Sequence, residues 1–169
     1  MTIREEIRAD APEIAALTRA AFGGEYEVSL IEKLRTNRLV IVSLMSVEEC
    51  VVVGRILFSE LAVEVDEKRV KAAALAPMTA RSGRRRRGIG SQLVEAGLQV
   101  LRDRGYEAVI VLGHPGYYTR FGFSPALTAS LLAPFGGKAF MGLELVHGSL
   151  SGSGGTVTYP EAFGVGTRG

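Results

Sequence analysis

The chain has 169 residues, 47% of them hydrophobic and 22% charged, with a formal net charge of +2. That balance supplies one globular core and excludes a disordered chain, a pair of ordinary domains and a polycation. The single cysteine, Cys50, excludes an internal disulfide and a cysteine-based metal cluster.

Residues 2–7 read as a first strand. They carry Glu5 and Glu6 where a signal peptide would need an apolar run, and no later stretch is apolar enough for a membrane span. A cytoplasmic protein without membrane attachment is therefore expected. Asp10 offers a helix N-cap, with Pro12 in the first turn and Glu13 at capping-box spacing. Ile14, Leu17, Ala21 and Phe22 recur at helical spacing, so the helix runs to about Phe22, and Gly23-Gly24 ends it. A second helix is predicted over residues 28–35, with Leu30, Ile31 and Leu34 inward. Residues 39–45 and 50–61 read as paired strands joined by a turn near 46–49. A strand over residues 70–78 meets Pro77, which should disturb its pairing.

The next helix is strongly amphipathic. Ile89, Leu93, Val94, Gly97, Leu98, Val100 and Leu101 fill one half of its wheel, and Gly105 ends it. Ala108–Leu112 is a near-continuous apolar strand, as expected of a strand covered on both faces. Strand, helix and strand make a βαβ unit and hence a parallel pair. A short helix over residues 115–120 and closing strands over 140–146 and 156–159 follow. Residues 151–155 form a flexible turn between those strands, and 164–169 form a loose tail after a single domain over 1–163.

Chemistry concentrates between the 70–78 strand and the amphipathic helix. Arg81, Arg84, Arg85, Arg86 and Arg87 are followed by Gly88, Ile89, Gly90 and Ser91. Glycines leave the backbone open, a helix start presents unpaired amides with partial positive charge, and arginines add fork-shaped donors. Together they make a site for a di- or polyphosphate. A P-loop is excluded, because Ile89 and Gly90 stand where lysine and a hydroxyl are required. A dinucleotide fingerprint is excluded, because Leu93 occupies its third glycine position.

Arg85, Gly88 and Gly90 fit the pattern Q/R-x-x-G-x-G/A, and Tyr118, Gly122 and Phe123 fit Tyr-x-x-x-Gly-Phe after the following strand. The chain resembles the GNAT acetyltransferases in these two motifs and in the order of elements over residues 2–159. Segments 111–123 and 139–145 are further similar to a bacterial subgroup of predicted acetyltransferases. The resemblance implies an α/β (α+β) GNAT acyl-CoA N-acyltransferase fold. Its mixed, mostly antiparallel central sheet is flanked by helices and opens between two middle strands. It implies acetyl-CoA as acetyl donor, no metal, and a primary amine of a small molecule or a protein as acceptor. Dimers are frequent in that family, so a homodimer is an expected assembly.

In this frame the backbone of Arg85, Arg86, Arg87, Gly88, Ile89, Gly90 and Ser91 would hold the pyrophosphate of CoA. Met78, Thr79 and Ala80 would pair with the pantetheine arm, and an amide near Met78 would polarise the thioester carbonyl. Tyr118 matches the tyrosine beside the departing sulfur and is the expected general acid; Tyr117 is wall or core. His114 stands where an aspartate is common in relatives, as base, water anchor or loop residue. Glu25, Glu27 and Glu60 are further candidate bases. Two other classes share these residues. One is a silent acyl-CoA sensor. The other is a nucleic-acid binder using the arginines, against which stand the short patch, its lack of interleaved aromatics and the small net charge.

Overall fold

The computed structural model describes residues 2–81 and 88–165. Two compact units make up the chain: Met1–Ser59 with Ala76–Val100, and Glu60–Leu75 with Leu101–Gly169.

In the first unit, β1 (Thr2–Glu5) pairs antiparallel with β2 (Val40–Glu48), which pairs antiparallel with β3 (Val51–Val65). The β2–β3 turn is only Glu49 and Cys50, both left-handed (φ 50° and 64°). The strand thus runs through Ser46, Val47 and Glu48, three residues expected in the turn. Such a two-residue turn matches the twist of the flanking strands.

Helix α1 (Ala11–Phe22) buries Ile14, Leu17 and Thr18, and stops at the left-handed Gly23. The helix ends at Phe22 as expected; Phe22 itself is exposed and Ala21 is half-buried. The expected capping box is also absent. Arg4 donates to both Asp10 carboxylate oxygens (2.8 and 2.9 Å) and the Ile7 amide donates to one of them (2.7 Å). Glu13 instead accepts from the Val52 amide at 3.1 Å. A bidentate charge-assisted pair outcompetes capping of a solvated helix amide. Helix α2 (Tyr26–Thr36) starts two residues earlier than expected and buries Val28, Leu30, Ile31 and Leu34.

Helix α3 (Ile89–Asp103) buries Ile89, Leu93, Val94, Leu98 and Leu101. Val100 is half-buried. Two glycines set its distance from β3. A Cβ on Gly97 would lie 2.2 Å from the Phe58 ring, and one on Gly54 would lie 2.8 Å from Ile89. The opposite face of β3 carries Arg55, which is fully buried. Its Nη2 donates to Ser43 (2.7 Å) and Glu6 (3.2 Å), and Glu6 also pairs with Arg35. Burial lowers the Arg55 pKa to about 10, so it stays charged at neutral pH.

In the second unit, β4 (Lys68–Ala80) pairs in parallel with β5 (Ala108–Leu112), from Ala72↔Ala108 to Leu75↔Val111, as the βαβ pattern requires. The β4–β5 ladder stops at Leu75, two residues before Pro77, in line with the disturbed pairing expected there, while β4 itself runs on through a cis Ala76–Pro77 peptide to Ala80. The end of α3 is closed here by Gly105 (φ 80°), with bonds from Tyr106 N–H to Leu101 C=O and from Gly105 N–H to Arg102 C=O.

A short helix, α4 (Pro115–Tyr118), follows β5. A two-residue strand, β6 (Leu131–Leu132), was not expected. Strand β7 (Phe140–Glu144) pairs antiparallel with β5, and β8 (Gly155–Thr158) pairs antiparallel with the 62–65 part of β3 and in parallel with β6. The 151–155 turn is held rather than loose. Ser153 and Gly154 amides donate to the Asp66 carboxylate (2.9 and 3.2 Å), and the Asp66 amide donates to Gly154 C=O (2.9 Å). Strands β3 and β4 contribute to both units, and the hydrogen-bonded order is β1-β2-β3-β4-β5-β7, with β8 on β3 and β6 on β8. The sheet is mixed and mostly antiparallel, as expected.

Candidate active site

Of the residues read as a phosphate site, Arg85, Arg86 and Arg87 lie outside the described residues, as does Arg84. Gly88 is exposed and left-handed (φ 75°), with open space where a side chain would begin. A left-handed residue here suits glycine. Its carbonyl accepts the amide of Gln92 (3.0 Å), the first helical bond of α3. Ile89 is almost fully buried against Gly54, so its side chain anchors the helix head. Gly90 and Ser91 are half-buried beside it. Amides at a helix head have no partner within the helix, which makes this end competent for an anion.

The β4–β5 ladder ends at Leu75↔Val111, five residues before β4 does. Met78 and Ala80 are half-buried there, and Thr79 is 5% exposed with a hydroxyl that has no hydrogen-bond partner. Arg81 fastens this strand end. Its amide donates to Val53 C=O (2.7 Å) and its Nε to Val52 C=O (3.0 Å). Arg81, counted with the basic cluster in the sequence, thus has a structural task. Together with Ala80 and one side of α1 (Glu13, Ala16, Leu17, Ala20 and Ala21), it lines a cavity of about 410 Å³.

In the second unit, Tyr118 closes α4. Its ring is largely buried and packs edge-on against Tyr117 (centroids 5.0 Å apart) and Phe123 (5.8 Å). Burial, then the neighbouring Tyr117, raises the Tyr118 pKa to about 12. Gly113 makes room for the ring: a Cβ there would lie 2.4 Å from Tyr118 Cε2. That requirement was missed in the sequence, although a glycine directly after an apolar strand is a signal of close approach.

His114 is exposed, and its carbonyl accepts the amides of Tyr117 (3.0 Å) and Tyr118 (3.1 Å), so its backbone starts α4. Tyr117 stacks with Phe121 and beneath Arg120, in keeping with a packing role. Glu25 pairs with Arg19 (2.5 Å) on the surface, and Glu60 accepts the Tyr106 hydroxyl. Both carboxylates therefore have partners. Glu27 is half-buried in the first turn of α2. Among the described residues, no group of three or more His, Cys, Asp or Glu side chains could hold a metal ion. None of their helices is long and apolar enough to cross a membrane.

Comparison with known proteins adds four findings. The family model for an acetyltransferase (GNAT) domain matches residues 2–126. The chain is 36% identical over 166 residues to YhbS of Escherichia coli strain K12, named an uncharacterized N-acetyltransferase, covering 96% of this chain and 98% of that one. The crystal structure of E. coli YhbS in complex with CoA superposes with a TM-score of 0.86 at 35% identity, covering 96% of this chain and 91% of that one. A GNAT family acetyltransferase of Brucella melitensis, in complex with acetyl-CoA, gives 0.79 at 30% identity, covering 96% and 97%.

Proposed function

Because the chain belongs to the GNAT acetyltransferase family, we propose that it transfers the acetyl group of acetyl-CoA directly to a primary amine. The observation that carries this reading is the head of α3, where an open left-handed Gly88 precedes an Ile89 anchored in the core. The pyrophosphate of CoA binds the backbone from Arg85 to Ser91, with Arg85, Arg86 and Arg87 adding charge. Met78, Thr79 and Ala80 bind the pantetheine arm along the part of β4 beyond its β5 ladder, and a backbone amide near Met78 stabilises the developing oxyanion. The CoA and acetyl-CoA complexes of the two similar proteins support that donor.

The acceptor attacks as a neutral amine. The carbon–nitrogen bond forms, the carbon–sulfur bond breaks, and the sulfur takes the Tyr118 hydroxyl proton. The amine's surplus proton leaves to His114, directly or through water, and proton exchange with solvent then returns Tyr118 to the phenol and His114 to the neutral imidazole. The products are an N-acetylated amine and CoA with a free thiol.

The test is a thermal shift with CoA, followed by an acetyl-CoA turnover screen over primary amines with product mass recorded. At a hundredfold excess over the dissociation constant, ligand binding adds about 2.7 kcal/mol of stability. No shift with CoA, or no acetylated product from any amine, would overturn the reading.

A further inference from the structure

The cavity of about 410 Å³ beside α1 is lined entirely by residues of the first unit. Most of its lining is apolar: Ala16, Leu17, Ala20 and Ala21 recur three and four positions apart and so share one side of the helix. Two opposite charges complete it, with Arg81 Nη2 3.9 Å from Glu13 Oε1. An ion pair this long, between side chains 42% and 44% exposed, does not by itself fix either group. Here the start of β3 fixes both. The Val52 amide donates to Glu13 Oε1 (3.1 Å), Arg81 Nε donates to the Val52 carbonyl (3.0 Å), and the Arg81 amide donates to the Val53 carbonyl (2.7 Å). Each fastening uses one side-chain atom of its group. The second carboxylate oxygen and the two guanidinium Nη nitrogens are the atoms with which such groups bind a ligand.

The pair decides what the cavity takes. A simple cation at this point meets the Arg81 charge and a simple anion meets that of Glu13, whereas a zwitterion satisfies both, with its ammonium on Glu13 and its carboxylate on Arg81. The head of a free α-amino acid carries those two charges side by side. The apolar lining along α1 then receives an alkyl side chain. Its length follows from β4. Alternation along the strand puts Met78 on the same side as Ala80, which lines the cavity. Met78, whose amide is assigned above to the thioester carbonyl, is three residues from Arg81, about 10 Å at the rise of a strand. An α-amine held by Glu13 and Arg81 is out of reach of that carbonyl. An amine at the end of a chain of about three or four methylene groups covers the distance.

Resting on the transferase reading, we propose that this cavity holds the acceptor, and that the acceptor is a free diamino acid of the ornithine or lysine type, bound by its α-amino acid head and acetylated on its side-chain amine. Bonds and protons balance as in the transfer above. The side-chain nitrogen gains the acetyl carbon and gives up one proton, and CoA leaves as the thiol.

The test offers lysine, ornithine, 6-aminohexanoate, cadaverine and alanine to the wild type, Glu13→Gln and Ala20→Leu, and locates the acetyl group by fragmentation mass spectrometry. Wild type should favour lysine and ornithine in kcat/KM over cadaverine, which lacks the carboxylate, and over alanine, which lacks the distal amine. The acetyl group should sit on the side-chain nitrogen. Glu13→Gln keeps an acceptor for the Val52 amide and loses the charge. It should raise KM for lysine about tenfold and leave KM for 6-aminohexanoate, which has no α-ammonium, unchanged. Ala20→Leu fills the cavity and should raise KM for lysine while leaving the CoA thermal shift intact. Acetylation on the α-nitrogen, or a wild type that prefers cadaverine or alanine, overturns the assignment and leaves the transferase standing. So does a Glu13→Gln variant that affects lysine and 6-aminohexanoate alike or not at all, or an Ala20→Leu variant that loses the CoA thermal shift. Absence of acetylated product from a broader amine panel overturns both.

Discussion

Replacing Tyr118 by Phe separates a chemical role from a packing role, because the ring contacts with Tyr117 and Phe123 and the fit over Gly113 are kept. With the ring kept, unfolding stability should stay within about 0.5 kcal/mol of wild type, the range of substitutions that disturb no specific feature. Turnover should behave differently. Removing a general acid lowers the rate about 10²- to 10⁴-fold, and the low end is expected because a thiolate is already a tolerable leaving group. The effect should fall on kcat, with the acetyl-CoA dissociation constant nearly unchanged. With its pKa raised to about 12, Tyr118 stays protonated through neutral and mildly alkaline pH. It should contribute no falling limb to the wild-type pH–rate profile below about pH 10. The assay is steady-state acetylation of the best amine from the screen, with single-turnover measurements to confirm that chemistry is limiting. Wild-type kcat in Tyr118→Phe under those conditions would refute the proton-donor role and assign the residue to packing.

Further expectations concern the loop, the core and acid stability. Gly88→Ala places a Cβ on a left-handed residue at about 1–2 kcal/mol. It should cut the thermal shift produced by CoA, measured by scanning fluorimetry, more than it lowers the midpoint of the free protein. Gly97→Ala gains up to about 1 kcal/mol of helix propensity but drives a Cβ to 2.2 Å from a fully buried Phe58 ring. Overpacking of about 1–3 kcal/mol should win, so a denaturant midpoint equal to or above wild type would contradict the packing described. Asp10, held at a pKa of about 2 chiefly by its hydrogen bonds from Arg4, binds its proton more readily unfolded than folded. Its contribution to stability is complete above about pH 4 and disappears as pH falls towards 2. Asp10→Asn should flatten that part of the stability–pH curve, and an unchanged slope would remove Asp10 from the acid response.

Periodicity made most of the elements legible in the sequence, since α3, β5 and the parallel β4–β5 pair follow from apolar spacing alone. Where the reading failed, a long-range partner had overridden a local signal. Asp10 and Glu13 have the spacing of a capping box, but Arg4 and the Val52 amide take their carboxylates. The glycine-rich 151–155 segment reads as loose, but the Asp66 carboxylate fastens it. Arg55 was invisible as a core residue, because its burial depends on Glu6 and Ser43, 49 and 12 positions away in sequence.

The candidate site divides along the same line. Its cofactor side was legible because the proposed contacts are made by backbone, and glycines at fixed spacing record where backbone must lie open. Tyr118 was legible because its spacing to Gly122 and Phe123 is local. What supports Tyr118 was less so: Gly113 matters only because the chain folds back to lay a ring over it.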